Sequence, residues 1–369
     1  MQLADIKVTI GMSVLNGESF LQESLRSALT QTHENFEILI FDDGSTDSTI
    51  SIIESIDDPR ITLVHSDKNF GTGSGRQVVK TLAHGDYLVW LDADDIFLPR
   101  RIETLLEHAI THKSDITCDV YQLIDEEGHV LEQFYGMSDK VNVDKHFTRL
   151  FERNVMIPHP LISRNCFDSI DFDKRLKSSD DYDYWLKCSY GGFTFSFVDE
   201  INLQYRISEK SQSSNPRRCR EETAMILNKY QITSLEKLYR SRGFSEEIIN
   251  YMVCLQYIFR GEYEKALEYA KKKWADEDGV DQNFYVGTLF LRNNKFDQAK
   301  KYLERHLKMY PNSPSALNNM GVLLNRSGEN AKPLFKKALE YFPGYVDVLM
   351  NLESVDDYQI TDTQIHARD

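Results

Sequence analysis

Two acidic motifs follow short apolar runs in the N-terminal part of the chain. One motif is Asp92-Ala93-Asp94. The other is Asp42-Asp43. Two carboxylates separated by one residue at the end of a strand can face a single hard cation, and Mg²⁺ or Mn²⁺ commonly shares such oxygen ligands with substrate phosphates. Acidic clusters are also common as solvated turns and helix caps, but two acidic strand ends in one sheet favour a cation site.

The elements that must position these motifs alternate between strand and helix. Short apolar runs predict strands, and apolar residues at helical spacing between them predict helices. Such alternation with short connections predicts a mostly parallel sheet covered on both faces, with ligands at the carboxyl ends of its strands. The predicted strands are Val8–Val14, Phe36–Phe41, Ile61–His65 and Tyr87–Leu91.

The next part of the chain, up to about residue 215, has a mixed pattern. Gly71–Gly75 is predicted to be a glycine-rich loop, and it is not a P-loop because no Gly-Lys-Ser/Thr follows it. The polar stretch Ser208–Asn215 is also a predicted loop, so we place a domain boundary after it, between 1–215 and 216–369. The predicted elements before it are helices at Arg101–His112 and Tyr182–Tyr190 and strands at Ile116–Gln122, Val130–Phe134 and Phe193–Phe197.

The C-terminal part of the chain becomes helical and repetitive. Its spacing resembles the tetratricopeptide repeat, in which small residues let paired helices approach and large residues fill the seam. Two or three such units are marginal alone, so we expect them to pack on the N-terminal domain, to form a homodimer or to bind a protein partner. The two clearer units are Gly287, Phe290, Phe296, Ala299, Leu303, Leu307 and Pro311, then Leu317, Gly321, Leu324, Gly328, Phe335, Ala338 and Pro343.

Composition excludes several classes of protein. The 369 residues include 58 acidic and 43 basic side chains, a net charge of −15, which argues against general nucleic-acid binding. The 20 Phe, 19 Tyr and 3 Trp are ample for a core. No apolar run has the roughly 18 residues of a membrane span, and no signal-peptide pattern is visible. Five scattered cysteines (118, 166, 188, 219 and 254) lack metal-type spacing, so we expect reduced, buried thiols in a cytoplasmic protein.

Several short motifs occur in order within residues 5–215. They are Ser13-Val14-Leu15-Asn16-Gly17, Asp42-Asp43-Gly44-Ser45-Thr46-Asp47, Asn69-Phe70-Gly71, Asp92-Ala93-Asp94-Asp95, Ser179-Asp180-Asp181-Tyr182 and Leu203-Gln204-Tyr205-Arg206. Each is weak alone, but the ordered series resembles the nucleotide-sugar-binding half of inverting family 2 glycosyltransferases. The resemblance implies an α/β GT-A fold with a Rossmann-like, mostly parallel sheet, followed here by an all-α, tetratricopeptide-like domain.

The resemblance also implies where the nucleotide binds. Ser13, Leu15 and Asn16 match the strand end that holds the base and ribose. Asp43 matches the carboxylate that hydrogen-bonds uracil, so the expected donor is a UDP-sugar.

Around the diphosphate, the resemblance assigns a second set of residues. Arg76 matches a basic residue whose guanidinium can fork to phosphate oxygens, although a solvated helix residue is the alternative. Asp94 matches the ligand of Mn²⁺ or Mg²⁺, and Asp92 the residue that binds the sugar or ribose, with Ala93 between them. Asp95 is expected to support the motif or cap a helix.

Asp181 matches the catalytic base of the family. An inverting transfer needs a carboxylate that removes the acceptor proton during attack on the anomeric carbon. The family usually has Glu-Asp at this place, whereas this chain has Asp180-Asp181, which leaves the role of Asp180 open. Trp185 could form the floor of the acceptor site or belong to the core.

One further departure concerns a histidine. Many relatives carry a His shortly after Tyr-Arg that touches the diphosphate, and none follows Tyr205-Arg206 here. Arg206 or residues 208–215 could substitute for it. His159 lies in the region that faces acceptors in this fold and could contact the diphosphate or the acceptor, or have no catalytic role.

Other interpretations stay open at this point. A sugar nucleotidylyltransferase would need a glycine-rich basic loop after the first strand, which this chain lacks. The chain could also be a repeat-based interaction protein with a degenerate enzyme domain. The presence of all four carboxylates that the resemblance assigns to the site disfavours this; they are Asp43, Asp92, Asp94 and Asp181. The acceptor is a saccharide, as in polysaccharide biosynthesis, or a protein or peptide, as in protein glycosylation. The run Arg217-Arg218-Cys219-Arg220 could touch anionic lipid at the inner face of a membrane, but it carries fewer basic residues than such patches usually have.

Overall fold

The computed structural model describes residues 2–133, 149–151, 156, 158–207, 216–274, 280–343, 345–353 and 359–362. Packing divides the chain into two compact units. The first is Met1–Tyr230 with Lys237–Phe244, and the second is Gln231–Glu236 with Ser245–Asp369. Among the described residues, no helix has the length and apolar content needed to cross a bilayer.

One mixed sheet organises the first unit. Its strands are β1 (Val8–Val14), β2 (Phe36–Asp42), β3 (Ile61–His65), β4 (Tyr87–Trp90), β5 (Ile96–Phe97), β6 (Ile116–Ile124), β7 (Val130–Gln133), β8 (Leu161–Ser163) and β9 (Phe195–Arg206). The order is β3-β2-β1-β4-β8-β6-β9-β5, with β7 paired to β6. The first four strands in this order are parallel, as predicted, and β8 joins β4 in the antiparallel direction. The predicted α/β fold is therefore confirmed.

Helices connect these strands, and apolar spacing predicted most of them but not the short helix at Arg164–Ser169. They are α1 (Leu21–Leu29), α2 (Thr49–Glu54), α3 (Thr72–Leu82), α4 (Arg101–His112), α5 (Arg164–Ser169) and α6 (Asp180–Gly191). Apolar side chains of the strands and of α1 and α4 form a buried core that includes Ile10, Leu25, Ile38, Val89 and Leu105. The core places the carboxyl ends of β1, β2 and β4 at one edge of the sheet, where the polar motifs follow.

The predicted loop at Gly71–Gly75 is wrong, because helix α3 begins inside it at Thr72. Gly71 precedes the helix with φ of 90°, a conformation that favours glycine. A Cβ atom at Gly75 would lie 2.1 Å from Ser13 Oγ and 2.8 Å from Phe41 Cδ1. The glycine at position 75 therefore serves close packing of α3 on β1 and β2 and not the flexibility of a loop.

The first unit extends past the predicted boundary at 215, because helix α7 (Pro216–Leu227) and part of α8 (Ile232–Ser241) belong to it. The Glu222 carboxylate accepts hydrogen bonds from two backbone N–H groups, those of Lys177 (3.0 Å) and Ser178 (3.1 Å). Lys229 Nζ lies 2.8 Å from Asp173 Oδ2 and 2.6 Å from Asp183 Oδ1. The predicted loop at 208–215 lies outside the described residues.

The second unit is helical, as predicted. Its helices are α9 (Glu246–Phe259), α10 (Tyr263–Lys273), α11 (Val280–Arg292), α12 (Phe296–Met309), α13 (Pro314–Arg326), α14 (Lys332–Tyr341) and α15 (Val346–Glu353). A Cβ atom at Gly287 would lie 3.0 Å from Leu303 Cγ, and one at Gly321 would lie 2.5 Å from Phe335 Cε1. The two glycines thus let consecutive helices approach closely, while the specific tetratricopeptide identity of these units stays a prediction.

The cysteines follow the predicted pattern where their side chains are described. Cys118, Cys166, Cys188 and Cys254 are free and buried. Burial in an apolar environment raises the pKa of the Cys118 and Cys188 thiols, so both stay protonated at neutral pH.

Replacing Gly75 with alanine tests whether packing or helix propensity controls α3. Propensity alone favours alanine by about 0.5–1 kcal/mol, but the clash with Ser13 costs about 1–3 kcal/mol. We therefore expect Gly75→Ala to lower the free energy of unfolding measured by urea denaturation. Ser74→Ala, at the preceding position of the same helix, is the control and should change it by less than about 0.5 kcal/mol. A stabilised Gly75→Ala would contradict the close packing.

Candidate active site

A cavity of about 270 Å³ opens beside the carboxyl end of β4. Charged groups reach it from three elements: Asp92 follows β4, Arg76 lies on α3, and Asp181 lies in the first turn of α6. The structure thus brings together residues of three separate sequence motifs. The lining residues are Arg76, Trp90, Asp92, Tyr121, Met156, Pro158, His159, Phe172, Asp181, Trp185 and Tyr205.

Arg76 joins two acidic motifs across this cavity. Its Nη1 donates to Asp180 Oδ2 at 3.2 Å, and its Nη2 donates to Asp92 Oδ1 at 3.4 Å. The side chain is 13 % exposed. Burial opposes its charge, but the carboxylates of Asp180, Asp92 and Asp181 outweigh that effect and raise the pKa of Arg76. The site therefore contains a permanent, partly shielded positive charge, so the alternative of a solvated helix residue is excluded.

The acidic motif after β4 contains three carboxyl groups in different environments. Burial disfavours the charge of Asp92, but His159 and Arg76 outweigh it and lower the pKa of Asp92. Burial and the neighbouring carboxylates of Asp95 and Asp92 raise the pKa of Asp94 to about 7. Burial also raises the pKa of Asp95, although the hydrogen bond from His159 opposes this. The surroundings of Asp94 therefore disfavour its ionised form, whereas those of Asp92 favour it.

His159 is fixed by contacts at both its ring and its backbone. Its Nε2 lies 2.5 Å from Asp95 Oδ2 and 3.9 Å from Asp92 Oδ2. Its carbonyl accepts a hydrogen bond from Arg101 Nη2 at 2.7 Å. His159 has φ of 56°, an uncommon conformation for a residue with a side chain and one often found at functional sites. The ring is thus held against the acidic motif and lines the cavity.

A cation could be held where these groups converge. Ligand atoms of Asp92, Asp95 and His159 all lie within 4.8 Å of one another. Carboxylate oxygens with one imidazole nitrogen suit Mn²⁺, and carboxylate oxygens alone suit Mg²⁺. The predicted ligand Asp94 is not one of these three, although repulsion among the carboxylates at Asp94 is what a cation would relieve. The donor types therefore fit a divalent cation, and because Asp95 Oδ2 and His159 Nε2 lie 2.5 Å from each other, these two side chains would orient the acidic motif around it.

The first turn of α6 presents two carboxyl groups with different partners. Asp180 accepts the hydrogen bond from Arg76, whereas Asp181 faces the cavity and its Oδ1 accepts from Tyr182 N at 2.6 Å. Burial raises the pKa of Asp181, and the charge of Arg76 limits the rise. Trp185, one turn further, is 4 % exposed and also lines the cavity. Asp181 is thus a carboxyl group with a raised pKa that lines the same cavity as the aromatic side chain of Trp185.

Comparison with known proteins identifies the family. Residues 9–170 match the model of "Glycosyl transferase family 2". An uncharacterized glycosyltransferase of Haemophilus influenzae is 30 % identical over 183 residues, 49 % of this chain and 71 % of that protein. The chain belongs to glycosyltransferase family 2. An uncharacterized glycosyltransferase of Methanocaldococcus jannaschii is 29 % identical over 210 residues, 55 % of this chain and 71 % of that protein. Some relatives are longer, and the segment aligned with this chain is about a third of their length.

A solved structure shares the fold over a longer part of this glycosyltransferase. Residues 1–349 of S. aureus TarS, crystallised in complex with UDP-GlcNAc, superpose with a TM-score of 0.58 at 15 % sequence identity. The match covers 83 % of this chain and 92 % of that one. At this identity the likeness establishes the fold alone.

The predicted nucleotide-binding residues of the glycosyltransferase lie at the ends of β1 and β2. Asn16 Oδ1 accepts from Thr46 N at 2.8 Å, which joins the loops after these two strands. The Asp43 carboxylate accepts from Phe70 N at 2.7 Å and Gly71 N at 2.8 Å. Asp43 therefore fixes the start of α3, on which Arg76 lies. The same region includes Leu15, which is exposed, and Ser13, which packs on α3.

The guanidinium of Arg206 in this glycosyltransferase is hydrogen-bonded to other parts of the protein and has a structural role. Four of its N–H donors bond to protein atoms: Asp94 O (2.9 Å), Asp125 O (2.9 Å), Glu126 O (3.0 Å) and Glu23 Oε2 (2.7 Å). Its side chain is only 1 % exposed. The guanidinium thus holds the loop after β4, and this placement disfavours the predicted substitution for the missing histidine at the diphosphate.

Sequence reasoning missed several residues of the site. The aromatic lining at Trp90, Tyr121 and Phe172 had no local signal, because apolar spacing does not distinguish a cavity wall from the core. Arg101 and Asp119 were also missed: they form a fully buried ion pair with two contacts of 2.9 Å. The available signal was the position of Arg101 on the apolar face of α4, because a charged residue there needs a buried partner.

Single and double substitutions test whether Arg101 and Asp119 stabilise the fold as a pair. Removing one partner leaves a buried charge unpaired, so Asp119→Leu and Arg101→Met should each lower the free energy of unfolding by about 3–5 kcal/mol. The double variant Arg101→Met/Asp119→Leu should lose clearly less than the sum of the two single losses, because no charge is left unpaired. Urea denaturation of the four proteins measures this coupling. Strictly additive losses would show that the two residues act independently.

Proposed function

We propose that this glycosyltransferase transfers a sugar from a UDP-sugar to an acceptor with inversion at the anomeric carbon and with the help of a divalent cation. The observation that carries the proposal is the meeting of Arg76, Asp92 and Asp181 at one cavity. Arg76 supplies a guanidinium for phosphate and Asp181 a general base, and Asp92 belongs to the acidic motif whose next carboxylate, Asp94, would hold the cation.

For the donor, Ser13, Leu15, Asn16 and Asp43 would hold the nucleoside at the ends of β1 and β2. The presence of UDP-GlcNAc in the structure of TarS supports UDP as the nucleotide. Arg76 already donates to two carboxylates, and its planar guanidinium can exchange those bonds for diphosphate oxygens without losing charge-assisted hydrogen bonds.

For the cation, Asp94 would be a ligand, with Asp92 next to the sugar or ribose and Ala93 allowing the chain to pass close to the donor. A bound Mn²⁺ or Mg²⁺ would stabilise the charge that develops on the departing diphosphate. Asp95 and His159 would keep the motif in place, because His159 is itself fixed through its carbonyl.

For the acceptor, Asp181 would remove the proton of the attacking group. Burial raises the pKa of Asp181 and makes its ionised form a stronger base than an exposed aspartate. Attack from the side opposite the diphosphate inverts the anomeric carbon in one displacement. Trp185 and Tyr121 would contact the acceptor, since aromatic faces suit sugar rings and peptide groups alike. A saccharide and a protein side chain both fit this arrangement.

Asp181→Asn tests the general base. The amide keeps the shape of the side chain but cannot accept the acceptor proton, so UDP release from the UDP-sugar should fall by about 10²–10⁴-fold while UDP binding is retained. A nucleotide-release assay and calorimetric titration with UDP measure the two quantities. Asp199→Asn, at an exposed position of the same unit, is the matched control. Full activity of Asp181→Asn would exclude this role.

Chelation and Asp94→Ala test the cation. We expect Mn²⁺ to strengthen UDP binding by at least about tenfold in the unmodified chain, because the metal neutralises diphosphate charge. The same addition should have little effect on Asp94→Ala, and EDTA should make the two proteins alike. Thermal-shift and calorimetric titrations with UDP, GDP and CDP provide the comparison. If metal strengthens binding equally in both proteins, Asp94 is not a ligand.

A further inference from the structure

A short segment near the C-terminal end, Gln359–Asp362, is bound within the second unit by side-chain amides. Asn319 contacts Thr361 at two points: its Nδ2 donates to the carbonyl, and its Oδ1 accepts from the N–H, both at 2.8 Å. Asn351 contacts Gln359 in the same way, at 2.9 Å and 2.5 Å. Backbone groups two residues apart point the same way only in an extended chain. The segment is therefore held as an extended strand through its backbone.

A third asparagine completes this arrangement. Asn318 Nδ2 donates to Gln359 O at 2.9 Å and to Thr361 Oγ1 at 3.2 Å, and its Oδ1 accepts from Asn351 Nδ2 at 2.7 Å. The three asparagines are 0 %, 0 % and 2 % exposed. Buried amides need hydrogen-bond partners, and here an extended backbone supplies them. The helices α13 and α15 thus carry amides arranged to bind a polypeptide backbone.

Side chains of the segment add specificity. Ile360 is 5 % exposed and belongs to the apolar core of the unit. Thr361 Oγ1 donates to Asp347 Oδ2 at 2.8 Å. Asp362 forms a two-point ion pair with Arg292, at 2.8 Å and 2.6 Å, and Arg292 also donates to the Ile360 carbonyl at 2.9 Å. The site therefore recognises an apolar, a hydroxyl and an acidic side chain in sequence.

We propose that the second unit contains a binding site for an extended polypeptide segment of a partner protein. The residues of this site are Arg292, Asn318, Asn319 and Asn351. That segment carries the order apolar, Ser or Thr, acidic, and Gln359–Asp362 occupies the site in cis. Extended peptides are commonly bound in this way, with main-chain hydrogen bonds that give affinity and side-chain contacts that give specificity. The attached segment competes with the partner at an effective concentration of about millimolar. The proposal does not depend on the transferase reaction.

A peptide-binding measurement on the full chain tests this competition. The probe is a fluorescent peptide with the sequence of residues 357–364. The variant Thr361→Pro/Asp362→Lys removes the N–H that Asn319 accepts and reverses the charge that Arg292 binds, so the cis segment leaves the site. We expect the probe to bind this variant at least about tenfold more tightly than the unmodified chain. Equal or weaker binding would overturn the proposal, as would equal binding of a probe that carries the same two substitutions.

A substitution in the site itself separates specific from general effects. Adding Asn319→Leu to the released variant should weaken probe binding by at least about tenfold, because the two-point contact to the backbone is lost. Asn325→Leu lies on the same helix, has no described hydrogen bond to the segment, and is the matched control. Equal losses in the two proteins would contradict a site at Asn319.

Hydrogen exchange on the unmodified chain decides the case if the variants fold poorly. Excess unlabelled peptide should raise the exchange of the backbone amides of 359–362, because the cis segment is displaced. The amides of α13 should keep their protection, because the helix remains folded. If millimolar peptide leaves the exchange of 359–362 unchanged, the segment is a fixed part of the fold and the proposal is wrong.

Discussion

The buried guanidinium of Arg76 is what allows several carboxyl groups to share one cavity. Burial raises the pKa of each of these groups, and on its own would leave them neutral and unable to bind a cation or accept a proton. Arg76 opposes that effect at Asp92, Asp180 and Asp181 through direct contact or close approach. The acidic net charge of the chain therefore says little about the site, where the local balance depends on the guanidinium of Arg76 and, at Asp92, also on His159.

Arg76 also connects the two sides of the site. The Asp43 carboxylate binds the backbone at Phe70 and Gly71, where α3 begins, and Gly75 packs on the first strand one residue before Arg76. A strand end that matches the nucleoside-binding position is thus linked by one short helix to the cavity that contains the proposed base. A displacement at either end would move the guanidinium relative to Asp92, so we expect that binding of the proposed donor would change the charge balance of the cavity.

Much of this could be predicted from local patterns, and the failures have physical causes. Apolar runs located β1, β2 and β4 because burial on both faces leaves a strong local signal, and they located β3 although it is only partly buried. The helix at Gly71–Gly75 was missed because glycine is common in loops, and only contact with Ser13 explains its presence in a helix. The structural position of Arg206 depends on Glu23 and on a distant turn, which no local pattern contains. Family motifs located Asp181 correctly at the cavity, but the aromatic wall around it follows from tertiary packing.

The glycine-rich start of α3 affects the order in which parts of the enzyme fold. Glycines in the first two turns lower the intrinsic stability of this helix, and an isolated helix of eleven residues is marginal in water even with better formers. We therefore expect α3 to form only after β1 and β2 have paired and offered it a surface. The guanidinium of Arg76, which lies on α3, would then reach the cavity late in folding. Partly folded chains, whose carboxylates are still exposed to water, would therefore have no catalytic activity.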